Sequence, residues 1–181
     1  MHLSDLLTYL PSAELVTGSP DQIITSVSAN SASIAAGGIF AALAGSKQDG
    51  HNFIEDALKA GATAILSDRA SLSLPEGIAH IRSAVPRHDY ALICGALNPA
   101  RPGMLVGVTG TNGKTSVVEY MRQIWTRATW PAATIGTLGI ACPVDELAST
   151  STNLTTPAAE HLFALLHNNF PYHHASRDGR G

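Results

Sequence analysis

"GVTGTNGKTS", Gly107 to Ser116, follows the apolar run Met104–Leu105–Val106 and leads into "VVEYMRQIW". An apolar run, a glycine-rich turn ending in lysine, and apolar residues at helical spacing predict a strand over 104–108, a loop, and a helix from about Thr115 to Arg127. Val117, Met121, Ile124 and Trp125 share one stripe of that helix and are expected to face inward. The dense negative charge of nucleotide phosphates calls for converging backbone N–H groups, which glycine leaves unobstructed, and for a cation. Lys114 is one of three lysines in the chain and stands where that cation belongs. The positive end of the following helix adds to the same field. Thr115 lies where a phosphate-loop hydroxyl coordinates magnesium between the β- and γ-phosphates. The strict pattern GxxxxGK[ST] would put glycine at position 108, where this chain has Val108; the observed spacing is GxxGxxGKT, from Gly107, Gly110 and Gly113.

A chain of 181 residues suits one complete domain and part of another. With 45% hydrophobic and 14% charged residues it has material for a core, and its net charge of −3 supplies no basic field for nucleic acid. Cys94 and Cys142 form no CxxC pair, and buried free thiols are the plainer reading. The N-terminus "MHLSDLLTYLPS" lacks a basic start, and no apolar run nears the roughly 20 residues that span a bilayer. A monomeric cytoplasmic protein without membrane or nucleic-acid partners is expected.

Before the loop, short apolar runs alternate with helix-like segments, the pattern of an α/β or α+β unit. "LSDLLTYL" predicts a helix closed by Pro11; "QIITSVS", "GGIFAAL", "TAILSD" and "IAHIRS" predict strands; "RHDYALICGAL" predicts a further helix. "HNFIEDALKAGA" predicts a helix with Phe53, Ile54, Ala57 and Leu58 inward and Gly61 as its stop. "LNPARPG", Leu97 to Gly103, reads as a linker, and "TWPAATIGTLGIAC" as a strand-like run broken by Gly136 and Gly139. The expected division is an N-terminal domain over 1–97, a linker over 98–103 and a partial second domain over 104–170. The tail 171–181, "PYHHASRDGRG", has no strand pattern and reads as disordered or out of frame.

"GVTGTNGKTS" resembles the ATP loop of the Mur ligases, which add amino acids to the UDP-N-acetylmuramoyl peptide of peptidoglycan. The stretch "SANSASIAAGGIFAALAGSKQDGHNFIEDALKAGATAILSD" is similar to that family's first domain, with its PGDLFFAL-like strand, DGHxFI turn and GAxAxL run. "ATIGTLGI" and "LTTP" resemble the member that adds the third residue. The resemblance implies an α/β fold: an N-terminal UDP-sugar-binding domain, then an incomplete P-loop ATPase domain with a parallel sheet.

The implied activity is ATP-dependent amide formation, adding meso-diaminopimelate or L-lysine to UDP-N-acetylmuramoyl-L-alanyl-D-glutamate, with ATP and Mg²⁺ as cofactors. Gly110, Thr111, Asn112, Gly113, Lys114, Thr115 and Ser116 would bind ATP. Lys114 would be catalytic by stabilising the transferred phosphoryl group, and Thr115 would hold the metal. Ser31, Ser46, Lys47 and Gln48 would contact the UDP-sugar, and Thr155 and Thr156 the muramoyl-peptide part. The chain departs from the family at Asn30–Ser31–Ala32, where the pattern is DSR, and at Gly38, where an acidic residue is usual. Members are longer, so this chain is expected to be inactive alone; the rival reading is a non-enzymatic UDP-sugar module with a vestigial ATPase half.

Simpler roles suffice for the remaining polar residues. His173 and His174 are adjacent and diverge, and His161 and His167 do not share a helix face. Glu119 fits a solvated helix position, and Asp49 fits turn chemistry beside Gly50.

Overall fold

The computed structural model describes residues 1–45, 48–141 and 157–169. Two compact units divide between Pro99 and Ala100, within the proline-rich stretch.

The first unit is built on a five-stranded sheet. Its strands are β1 (Ala13–Thr17), β2 (Val27–Ser28), β3 (Gly38–Ala41), β4 (Ala62–Ser67) and β5 (Ala79–Ser83), in the spatial order β1-β5-β4-β3-β2. Strands β2 to β5 run parallel, and β1 joins β5 antiparallel at the edge. Every residue of β3 is buried, as a parallel strand covered on both faces requires. The strand period of two sends Phe40 and Ala42 to one face, where they cluster with Ala57, Ala62 and Ile65. Helix α2 (Ile54–Lys59) covers that face, with Phe53, Ile54 and Leu58 half-buried against the cluster. Helix α3 (Pro86–Leu97) packs on β2 to β5 and buries Tyr90, Ile93 and Cys94. Helix α1 (Leu3–Leu7) buries Leu3 and Leu6, and the Leu3 N–H donates to the Gln22 carbonyl at 2.8 Å.

Of the "QIITSVS" run, only Val27–Ser28 joins the sheet; Ile23 makes an isolated bridge to His2. β1 has no counterpart among the strands expected from sequence. It is an edge strand with three of its five residues exposed, so its alternation is weak.

The second unit contains α4 (Lys114–Arg127), a hairpin of β6 (Thr134–Gly136) and β7 (Gly139–Ala141), and α5 (Ala159–Asn169). The Ala100 N–H donates to His167 Nδ1 at 3.1 Å, and the Arg101 guanidinium lies 4.6 Å from the Phe163 ring centre. Here two expectations are corrected. Residues 104–108 are not a strand, because a strand exists through its hydrogen-bonded neighbour and this segment has none among the described residues. The α4 stripe is not inward: α4 has no buried residue, and Val117 and Ile124 are exposed with Tyr120 beside them. Helical spacing selects the face a helix can bury; covering elements have to supply the burial.

Candidate functional site

The loop turns into α4 through Gly113, whose φ of +78° is one that residues with a Cβ rarely adopt. Gly113 also serves as the N-cap and offers no side-chain oxygen. The first intrahelical bond runs from the Val117 N–H to the Gly113 carbonyl at 3.0 Å. The N–H groups of Lys114, Thr115 and Ser116 therefore begin the helix without intrahelical acceptors. An open hollow of about 260 Å³ at this end is lined by Thr111, Asn112, Gly113, Lys114, Thr115, Ser116 and Thr137. Six of the seven residues expected to bind ATP are thus gathered at one surface. Gly110 joins them through its carbonyl, which accepts from Lys114 Nζ at 2.5 Å, while the Thr111 carbonyl lies 3.4 Å from the same atom. An ammonium has three donors; two are directed at the loop's carbonyls, which hold Nζ over the loop, and the third is left for an anion.

Thr137 was not evident from the sequence. It sits on the turn between β6 and β7, and its Oγ1 lies 3.0 Å from Thr115 Oγ1. A magnesium ion on a nucleotide takes hard oxygen donors, usually one or two from the protein with phosphate oxygens and water completing the set. The Thr115 hydroxyl beside this hollow fits that demand. Among the described residues no group of three His, Cys, Asp or Glu side chains could hold a metal by itself.

Glu119, one turn further along α4, is engaged elsewhere. It accepts from Arg122 Nε at 3.0 Å, from Arg122 Nη2 and from Gln123 Nε2 at 3.0 Å. Those hydrogen bonds, Arg122's foremost, bring its carboxyl down to about 2. A carboxylate so held is a poor proton acceptor near neutral pH, and its role is to brace the helix.

In the first unit, the C-terminal ends of the four parallel strands lie at one edge of the sheet, the edge where ligands of parallel α/β sheets bind. Ser31 follows β2 in a 3₁₀ turn, Ser31–Ser33, capped by the Asn30 side chain accepting from the Ala32 N–H at 3.0 Å. Gln48 follows β3, exposed, with its carbonyl accepting from the Gly45 N–H at 3.0 Å. A hollow of about 520 Å³ on the same edge is lined by Leu43 and Ala44 after β3, Asp68 after β4, and Val85, Pro86, Arg87 and His88 after β5. Arg87 Nη2 donates to the Ala44 carbonyl at 2.9 Å, which fixes the guanidinium beside the loop that carries Gln48.

His51 is buried between two carboxylates. Its Nδ1 is 2.6 Å from Asp49 Oδ1 and its Nε2 is 3.2 Å from Asp68 Oδ1. Asp49 also accepts from the His51 N–H at 3.0 Å, and that bond above all lowers the aspartate's pKa. Asp49 therefore does more than shape a turn: with Arg69 Nη2 3.5 Å from its Oδ2, it ties the loop after β3 to the loop after β4. The residues that line the larger hollow were missed because their signal is positional. Each stands just beyond a parallel strand, and none belongs to a motif.

Ser46, Lys47, Thr155, Thr156 and the tail 171–181 lie outside the described residues. No described helix is long and apolar enough to cross a membrane.

Comparison with known proteins follows the same division. Residues 23–101 match the family model for the Mur ligase family, catalytic domain, and residues 108–171 match that for the Mur ligase middle domain. A UDP-N-acetylmuramoyl-L-alanyl-D-glutamate--2,6-diaminopimelate ligase of Brucella melitensis is 38% identical over 154 residues, 84% of this chain and 31% of the relative. A ligase of the same name from Caulobacter vibrioides is 43% identical over 144 residues, 77% of this chain and 29% of the relative. The chain thus spans about a third of the length of the curated relatives it matches. A solved structure of a UDP-N-acetylmuramoyl-L-alanyl-D-glutamate--2,6-diaminopimelate ligase superposes with a TM-score of 0.69 at 24% identity, over 92% of this chain and 33% of that one. This likeness shows a shared fold.

Proposed function

The chain belongs to the Mur ligase family, and on that premise we propose that it carries the nucleotide-sugar and ATP-phosphate sites of an amide-forming ligase. Its relatives' names supply the reaction: joining 2,6-diaminopimelate to UDP-N-acetylmuramoyl-L-alanyl-D-glutamate. The observation that carries the proposal is the hollow at the start of α4, where Lys114 and three helix-start N–H groups converge.

In the first step a carboxylate oxygen of the UDP-linked dipeptide attacks the γ-phosphorus of ATP, and ADP departs with the electrons of the broken P–O bond. In the second step the amine attacks the carbonyl carbon of the acyl phosphate. Phosphate leaves with the C–O bonding pair, the nitrogen loses a proton, and an amide remains. Charge builds on the phosphoryl oxygens during transfer, so the fixed donors at the loop lower the barrier without reorganising. The Lys114 ammonium meets that charge, and the N–H groups of Thr115 and Ser116 hold the phosphate chain in line. The Thr115 hydroxyl would hold a magnesium ion, which would supply further neutralisation of the phosphate charge.

The UDP-sugar is assigned to the edge of the first unit's sheet, in the reach of Ser31 and Gln48, with the Arg87 guanidinium as counter-charge for the diphosphate. Amide formation is assigned to a protein of the relatives' length, in the cytoplasm, and the 181 residues alone are expected to bind both nucleotides without joining the amino acid.

Separate calorimetric titrations with ATP–Mg and with UDP-N-acetylmuramoyl-L-alanyl-D-glutamate test this reading. Saturable binding of both is expected. Binding of the UDP-sugar alone would leave a nucleotide-sugar module, and binding of neither would overturn the proposal.

A further inference from the structure

The Thr115–Thr137 contact links the phosphate loop to a hairpin remote from it in sequence, and nothing in the sequence pattern assigns Thr137 a role. Its setting is built. β6 ends at Gly136 and β7 begins at Gly139, paired with each other across the turn. Gly139 takes the left-handed φ of +89°, so the two residues between them, Thr137 and Leu138, avoid positive φ. Leu138 is 82% exposed, and Thr137, also exposed, lines the hollow of the phosphate loop. β6 also touches α4.

A threonine hydroxyl has one proton and two lone pairs. When its oxygen binds a cation, a lone pair must face the ion and the proton must point away toward an acceptor. Thr115 has such an acceptor in Thr137 Oγ1 at 3.0 Å, and among the described residues this is the hydrogen bond its hydroxyl makes. Either hydroxyl of this pair can donate; donation from Thr115 would fix its side-chain rotamer and turn its free lone pairs away from the hairpin. Cation binding makes the Thr115 proton more positive and strengthens that same bond, so orientation and metal affinity reinforce one another.

We propose that Thr137 is a positioning residue for the nucleotide-bound magnesium, accepting the Thr115 proton so that the Thr115 oxygen presents a lone pair to the ion. This inference rests on the nucleotide-binding reading above. Its effect is expected in the magnesium-dependent part of binding.

The test uses the 181-residue chain and measures ATP affinity by calorimetry in EDTA and over a series of free Mg²⁺ concentrations. Thr137→Val keeps the shape and removes the acceptor; Thr137→Ser restores it. Outer-layer partners of a metal ligand typically contribute ten- to a hundredfold in metal affinity. Thr137→Val should therefore raise the Mg²⁺ concentration at half-effect by about tenfold, with ATP affinity in EDTA unchanged and Thr137→Ser close to the unaltered chain. An unchanged Mg²⁺ midpoint in Thr137→Val, an equal loss of affinity in EDTA and in Mg²⁺, or a failure of Thr137→Ser to restore the midpoint would each overturn it. If the unaltered chain binds no ATP, the nucleotide reading itself fails and this inference falls with it.

Discussion

Ser67 and His80 meet diagonally across the parallel strands β4 and β5, Oγ to Nε2 at 3.0 Å, with both side chains buried. Burial, and secondarily the charge of Arg82, lower the His80 pKa from its ordinary value of 6.5. The neutral imidazole is the form the fold accommodates. Its contribution to stability is present above pH 6.5 and is lost as the pH falls below that value, because the unfolded chain takes up the proton first. The melting temperature should fall between pH 7 and pH 5, and His80→Gln should flatten that dependence; an equal slope in the variant would refute the assignment. Reading the sequence identifies Lys114 and Thr115 readily, since glycine, lysine and hydroxyl lie within one local motif. Thr137 and the Ser67–His80 pair are hidden from it, because each depends on a partner brought close by folding.

Among the elements, the parallel strands β3, β4 and β5 are legible as short apolar runs because both of their faces are buried. The run at 104–108 is likewise short and apolar and is no strand, since composition cannot supply a hydrogen-bonding neighbour. The loop between β3 and the 3₁₀ turn Gly50–Phe53 depends on a close backbone approach. The Gly50 N–H donates to the Leu43 carbonyl at 2.9 Å, and a Cβ at position 50 would fall 2.6 Å from the Leu43 nitrogen and 2.7 Å from its oxygen. Backbone has to move to admit it. Gly50→Ala should cost about 1–3 kcal/mol, a drop of roughly 4–8 °C per kcal/mol in the melting of a unit this size. It should also weaken UDP-sugar binding, because the displaced loop carries Gln48; unchanged melting would contradict the packing described.

On the scale of the whole chain, the two units differ in what encloses them. The first has a continuous core of fully buried residues, among them Leu6, Ile39, Phe40, Ile65 and Ile81. In the second, Met104, Leu105, Tyr120 and Ile124 are each at least 60% exposed. Fold class is readable because an α/β pattern and a glycine-rich loop leading into a helix are written in contiguous residues. Burial in the second unit was not, because it depends on which elements cover a face. The phosphate loop needs little of that burial: it is assembled from backbone and from two side chains at a helix start. Its function is tested most directly by measuring the ATP–Mg dissociation constant of the unaltered 181-residue chain beside that of Lys114→Ala, with circular dichroism matched between them. Removing a charged donor from a phosphate should weaken binding about ten- to hundredfold. Equal dissociation constants for the two proteins would contradict the assignment of this loop as the grip on the nucleotide.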